Sequence, residues 1–222
     1  MGLADEYRLQ APWRDWTGAF YALPAVRGQR VLDLGCALGD QAAELVRRGA
    51  RVLGIDGNED LLRVARTRGL TNAEFLCQDV RDLRLGDDRF DGLWIALVEV
   101  DDLFAHEPVR DETRRILSAY AEDAVTAGRY DFRMGRRLRP SLEACGFTIL
   151  AERSLSDAEL AFSGGAAPDV LEAWRTRWER MPFLRAFAGI HFEPVRDDFL
   201  ACLQREDHQA LSRVQMCVAA VL

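Results

Sequence analysis

The chain has 222 residues, 49% of them hydrophobic, enough to bury one sizeable core. Its net charge of −7 disfavours nucleic acid as a partner, and it has no apolar run long enough to span a bilayer. All of its 29 basic residues are arginine, which we attribute to coding bias and not to function. The five cysteines, 36, 77, 145, 202 and 217, follow no metal spacing and no paired framework. With no signal peptide discernible, they point to a reducing cytoplasm.

In chain order, residues 1–27 are aromatic-rich, with Tyr7, Trp13, Trp16, Phe20 and Tyr21, and read as an N-terminal cap. An apolar run from Val31 then stops at a glycine turn, Gly35-Cys-Ala-Leu-Gly39. Amphipathic spacing predicts a helix over Gln41 to Arg48. A second apolar run, Arg51 to Ile55, ends on Asp56. Strand, glycine turn, helix, strand and acid make a βαβ nucleotide-binding unit. Gly35 and Gly39 let the backbone approach a ligand that a Cβ would hold off. Asp56, at a strand tip, is placed to accept hydrogen bonds from ribose hydroxyls. Asn58 can cap the next helix, Glu59 to Arg68. Ala73 to Val80 is a third short strand carrying Asp79 at its end.

The glycine spacing discriminates between ligands. A dinucleotide site needs Gly-x-Gly-x-x-Gly to seat a pyrophosphate on the helix N-terminus. Here the pattern is Asp33-x-Gly35-x-Ala37-x-Gly39, followed by Asp40. Carboxylates on both sides of the turn would repel a pyrophosphate but suit a ligand with an ammonium group. The segment resembles motif I of the Rossmann-like S-adenosylmethionine (SAM)-dependent methyltransferases, with Ala37 standing where that family usually has glycine. Gly54-Ile-Asp56-Gly57 resembles motif II. The resemblance implies SAM as cofactor, with Asp33, Gly35, Ala37, Gly39, Asp56, Gly57, Asp79 and Val80 as the residues that bind it. It puts Asp56 on the ribose, Asp79 on the adenine amine and the Val80 backbone against the ring. It also implies a fold: α/β, doubly wound, with a mostly parallel sheet and helices on both faces, and a cap that folds over the cofactor.

The resemblance breaks after Arg89-Phe-Asp-Gly-Leu-Trp94, which reads as the start of the family's fourth strand. Ile95 to Asp102 follows at once and reads like the fifth. Parallel neighbours need a crossover, and no residues remain to build one. We therefore expect a deletion, a merged strand from about Phe90 to Val100 with Trp94 and Leu97 in the core, and one strand fewer than the family's seven.

Beyond the gap, a helix is predicted over Val109 to Ala127 and another over Arg136 to Ala144, stopped by Gly146. A strand is predicted at Phe147 to Leu150, a helix over Pro168 to Phe187 with Trp174 and Trp178 on one side, and a last strand at Ser212 to Val221. No linker breaks the chain, so residues 1–222 read as a single domain with a helical insertion over 158–205.

Candidates for chemistry outside the cofactor segment are few. His106 could deprotonate a hydroxyl acceptor. His191 and His208 suit structural roles. Glu99, Asp101 and Asp102 form an acidic cluster, but the strand-four acids of metal-dependent relatives are absent and no metal is expected. Arg129, Tyr130 and Arg133 could line a pocket for an anionic acceptor. Cys36 and Cys77 read as buried thiols. The reading is a methyltransferase acting on a small-molecule acceptor, without nucleic acid or membrane and with a homodimer as an option. The alternatives are a catalytically impaired SAM-binding relative and, third, a nicotinamide oxidoreductase.

Overall fold

The computed structural model describes residues 3–79, 82–85 and 94–221. In chain order the helices are α1 (Leu3–Gln10), α2 (Thr17–Ala22), α3 (Asp40–Arg47), α4 (Glu59–Thr67), α5 (Asp111–Thr126), α6 (Leu138–Ala144), α7 (Pro168–Glu179), α8 (Pro182–Ala188) and α9 (Phe192–Leu203). The strands are β1 (Arg30–Leu34), β2 (Arg51–Asp56), β3 (Ala73–Cys77), β4 (Trp94–Asp101), β5 (His106–Glu107), β6 (Thr148–Leu155), β7 (Gln209–Ala210) and β8 (Arg213–Ala220). Packing divides the chain into two compact units, residues 1–12 with 22–94 and residues 13–21 with 95–222.

The first unit is built on a parallel sheet in the order β1-β2-β3. Register pairs Val31 with Val52, Leu34 with Ile55 and Asp56 with Cys77, so the three carboxyl ends lie side by side. Val52, Leu53 and Ile55 are buried, as expected for a strand covered on both faces. Helix α3 returns the chain from β1 to β2 and buries Ala42 and Leu45. Helix α4 returns it to β3 and buries Leu61, Leu62 and Ala65. Asn58 caps α4 as the sequence predicts, its Oδ1 accepting from Asp60 N at 2.9 Å and Leu61 N at 3.3 Å. Gly54 is required by crowding: a Cβ there would lie 2.6 Å from the Phe75 ring and 3.0 Å from Cys36 Sγ.

The second unit contains a three-stranded sheet in the order β4-β8-β6, with β6 and β8 antiparallel, and a short antiparallel pair, β5 with β7. The parallel sheet of the expected fold is thus seen in β1-β2-β3. The described strands of the second unit give no mostly parallel sheet, and each unit is α/β on its own terms. Trp94–Asp101 is one uninterrupted strand, as the merger requires, while Phe90 to Leu93 lies outside the described residues. The expectation that Trp94 and Leu97 sit in a central strand is corrected. Strand β8 is central in this sheet and β4 flanks it, so both residues are only part-buried. Ile95 and Leu97 pack on Leu138, Leu142, Cys217 and Ala219.

The predicted helix Pro168–Phe187 is broken into α7 and α8. Pro182 has no N–H to continue the ladder and starts a new helix at its first turn. Trp174 and Trp178 of α7 are fully buried and join Phe104, Phe192 and Phe199 in an aromatic core, with ring centroids 5.0–6.3 Å apart for the pairs that touch. Strand β6 runs to Leu155, well past the predicted end at Leu150. Its polar half, Glu152-Arg-Ser154, is exposed, so period-two burial does not mark it.

Candidate functional site: the glycine turn and its acids

All the described cofactor candidates lie in the first unit, at the carboxyl ends of its parallel strands. The turn between β1 and α3 is held to β2 by Gly35 N and Cys36 N, which both donate to Ile55 O at 2.7 and 3.0 Å. Gly35 and Gly39 take φ of +73° and +74°, the left-handed region where glycine is at ease. At Gly39 a Cβ would also crowd Phe75 and Ala65, at 3.0 and 3.2 Å.

Ala37 is left-handed too, with φ +45°. An L side chain in this region costs roughly 1 kcal/mol or more, which explains why glycine is the easier residue at this place. Asp56 holds the turn in that shape: its Oδ2 accepts from Ala37 N at 3.0 Å and its Oδ1 from Asn58 N at 2.8 Å. Ala37→Gly relieves the backbone but frees the unfolded chain by about 0.4–1 kcal/mol. The expected net result is a small gain in stability, up to about 1 kcal/mol, read as a higher urea midpoint. A lower midpoint would show that the alanine turn is unstrained.

Asp33 lies inside β1, with its Oδ2 shielded from solvent and without a hydrogen-bond partner. Burial, and then the charge of Asp56, push its pKa up to about 6. Asp40 does not share its role. It is ion-paired to Arg68, whose Nε also donates to Leu38 O at 2.6 Å. The expected pair of acids available to an ammonium group is therefore reduced to Asp33. Gly57 follows β2, and its carbonyl accepts from the Cys77 thiol at 3.7 Å. Gln78 N donates to Asp56 O at 3.1 Å, so the chain leaving β3 toward Asp79 passes beside Asp56. Val80 lies outside the described residues.

The two strand-end cysteines differ. Cys36 is buried, and burial followed by the Asp33 and Asp56 charges pushes its thiol up to about 12. Cys77 is exposed, against expectation, because β3 ends there at the margin of the sheet.

The other candidates lie in the second unit. His106 is buried at 1% exposure and hydrogen-bonded to His208, Nδ1 to Nε2, at 2.9 Å. His208 Nδ1 lies 2.9 Å from Gly164 O. A carbonyl only accepts, so His208 Nδ1 carries the proton, its Nε2 accepts, and His106 Nδ1 donates. That leaves His106 Nε2 as a bare, buried acceptor without a partner. Burial, and then His208, lower the His106 pKa to about 3. An enclosed imidazole of such low basicity is a poor proton acceptor, which corrects the expectation of a base that meets the acceptor. His191 is exposed and lies 3.3 Å from Glu112.

The acidic cluster is tied up by arginines. Arg136 reaches Asp101 at 2.6 Å and Asp102 at 3.3 Å, and Arg133 reaches Asp102 at 3.3 Å and Ser118 at 2.9 Å. Tyr130 OH donates to Glu99 at 3.4 Å, and burial, then Glu99, push that phenol up to about 12. Arg129 pairs with Asp123. Each of these arginines is engaged by a carboxylate. No helix among the described residues is long and apolar enough to cross a membrane.

Comparison with known proteins agrees with this geometry. Residues 31–119, which hold the glycine turn and the three strand-end acids, match the methyltransferase domain family. The chain is 26% identical over 179 residues to a ubiquinone biosynthesis O-methyltransferase of Coxiella burnetii, covering 78% of this chain and 72% of that protein. It is 39% identical over 77 residues to a demethylmenaquinone methyltransferase of Clavibacter sepedonicus, covering 34% and 31%. Among solved structures, YjhP of E. coli superposes with a TM-score of 0.58 at 15% identity over 98% of both chains, a likeness of fold. Residues 31–119 are thus a methyltransferase domain, and the matches support a SAM-dependent methyltransferase with SAM as its cofactor.

Proposed function

We propose that the protein transfers the methyl group of SAM to a small-molecule acceptor. The observation that carries this reading is the parallel register of β1, β2 and β3, which sets Asp33, Asp56 and the segment leading to Asp79 around one glycine turn. In this reading the Asp33 carboxylate holds the ammonium group, Asp56 accepts from the ribose hydroxyls, and Asp79 accepts from the adenine amine. Gly35, Ala37 and Gly39 bring backbone close to the ligand, and Gly57 and the Val80 backbone complete the wall. SAM supplies an electrophilic methyl on a sulfonium. The chain's own part is to hold donor and acceptor in line, a contribution of several kcal/mol, up to roughly 10, in well-oriented systems. His106, enclosed and engaged with His208, has no part in this assignment. The name of the Coxiella relative supports an oxygen as the accepting atom. Five free thiols suit a reducing cytoplasm. The doubly wound sheet and the single domain with a 158–205 insertion remain part of the proposal. They are supported by the β1-α3-β2-α4-β3 order and by the run of helices from α7 to α9.

Titration calorimetry tests the site. SAM and its demethylated product are expected to bind and NADH not to bind. Asp56→Ala is expected to weaken SAM binding by roughly 1.5–3 kcal/mol, or about 10- to 150-fold. An unchanged affinity overturns the ribose assignment. Release of the demethylated product with a panel of hydroxylated metabolites then tests turnover. Binding without turnover on any of them would favour the impaired relative.

A further inference from the structure

Helix α3 begins without a capping side chain, because Gly39 occupies its N-cap. The turn ahead of it is fixed from outside the motif. Gly39 N donates to Cys36 O at 2.7 Å, and Leu38 O accepts from Arg68 Nε at 2.6 Å. In a trans peptide the carbonyl and the following N–H point opposite ways, so the Leu38–Gly39 plane is gripped at both edges. Turning that plane over would take Gly39 out of its φ of +74°. Arg68 is itself firmly carried. It is the C-cap of α4, and its N–H donates to Ala65 O at 3.1 Å. The helix lies so close to the turn that a Cβ on Gly39 would meet Ala65 at 3.2 Å. Asp40 accepts from Nη2 of the same guanidinium and so aims its Nε at Leu38 O.

We propose that Arg68 is a positioning residue for the cofactor: from the end of α4 it holds the glycine turn in the shape that receives the amino-acid end of SAM. This rests on the reading of the turn as the SAM site. Magnitudes separate its two contacts. The side chains of the Arg68–Asp40 pair are 32% and 42% exposed, and exposed pairs contribute little. The bond from a charged donor to the part-buried Leu38 carbonyl contributes more. Asp40 is then the orienter of Arg68 and not a second acid for the ammonium. A lysine has the charge but a single nitrogen, which cannot serve Leu38 O and Asp40 in the geometry of the fork. The ribose end is fastened separately, since Asp56 and not Arg68 holds Ala37 N. Arg68 therefore acts on one end of the ligand.

Titration calorimetry with S-adenosylhomocysteine (SAH), and with adenosine, which lacks the amino-acid end, tests the assignment. Arg68→Ala is expected to bind SAH about 10- to 100-fold more weakly than the wild type. Arg68→Lys is expected to remain at least about fivefold weaker. Asp40→Asn keeps an oxygen for Nη2 and is expected to stay within about threefold of the wild type. Adenosine affinity is expected to change by less than about threefold in all three variants. Circular dichroism and thermal melting check folding. Arg68→Lys retains the charge at the C-terminus of α4 and carries the test if the alanine variant does not fold. Wild-type affinity for SAH in Arg68→Ala or Arg68→Lys overturns the assignment. An equal loss for SAH and adenosine also overturns it, because that marks a general loosening of the unit. A wild type that binds neither ligand removes the SAM site itself, and this assignment with it, so the two failures are distinct.

Discussion

Asp33→Asn is expected to make the protein more stable and its cofactor binding weaker. The Asp33 pKa is raised to about 6 by burial and by Asp56, so ionising it at pH 7 costs the fold on the order of 3 kcal/mol. The sign follows from its position above the ordinary value. The stabilising contribution is full below about pH 4 and is lost as pH rises through 6. An amide removes the charge and keeps the shape, so a gain of about 1–3 kcal/mol is expected at pH 7 in a urea melt. The same change removes the partner proposed for the ligand's ammonium, and affinity for SAM is expected to fall about 10- to 100-fold. In the wild type, affinity should fall up to tenfold per pH unit below 6, as Asp33 takes up a proton. A variant that is less stable, with unchanged affinity and an unchanged pH profile, would refute the assignment.

Acid should act on the second unit in the opposite sense. His106 titrates near 3 and His208 is also shifted downward, chiefly by burial, so both imidazoles are neutral in the folded chain at pH 7. The unfolded chain protonates both near the ordinary 6.5. Below that pH the unfolded state binds more protons, and stability falls as pH falls, by up to about 1.4 kcal/mol per unit for each imidazole. For His106 alone the loss approaches about 4 kcal/mol by pH 3. Urea midpoints from pH 7 to 4.5 measure the slope. Nitrogen chemical shifts give the tautomers, and both rings are expected to carry their proton on Nδ1. A His106 that titrates near 6.5 in the folded protein, or a flat stability profile, would contradict the structure.

The first unit was legible because each of its elements carries its own punctuation. Gly35 and Gly39 mark the turn, Asn58 marks a cap, and acids mark the strand tips. The roles of Asp40 and Cys77 were not legible. Arg68, which neutralises Asp40, is 28 residues away in sequence, and the exposure of Cys77 depends on which strand ends the sheet. In the second unit Trp174 and Trp178 disclosed a buried helical face, but the break at Pro182 that divides α7 from α8 was passed over, and one helix was read through it. The polar half of β6 was hidden because an exposed strand leaves no alternating pattern. The partnership of His106 and His208 spans 102 residues, so no local spacing announces it. The deletion after Trp94 was read from a missing crossover; Trp94–Asp101 is one strand, and the earlier half of the expected merged strand, Phe90 to Leu93, lies outside the described residues.

Asp56 uses both carboxylate oxygens within its own chain, one on Ala37 N and one on Asn58 N. Two backbone N–H groups select its rotamer during folding. The ordering of that side chain, which costs about 0.5–1.5 kcal/mol at a flexible interface, is already complete before any ligand arrives. Preorganisation of this kind suits the hydroxyl pair proposed as its ligand, and it would couple recognition to architecture. Any change at position 56 alters the acceptor and the turn together.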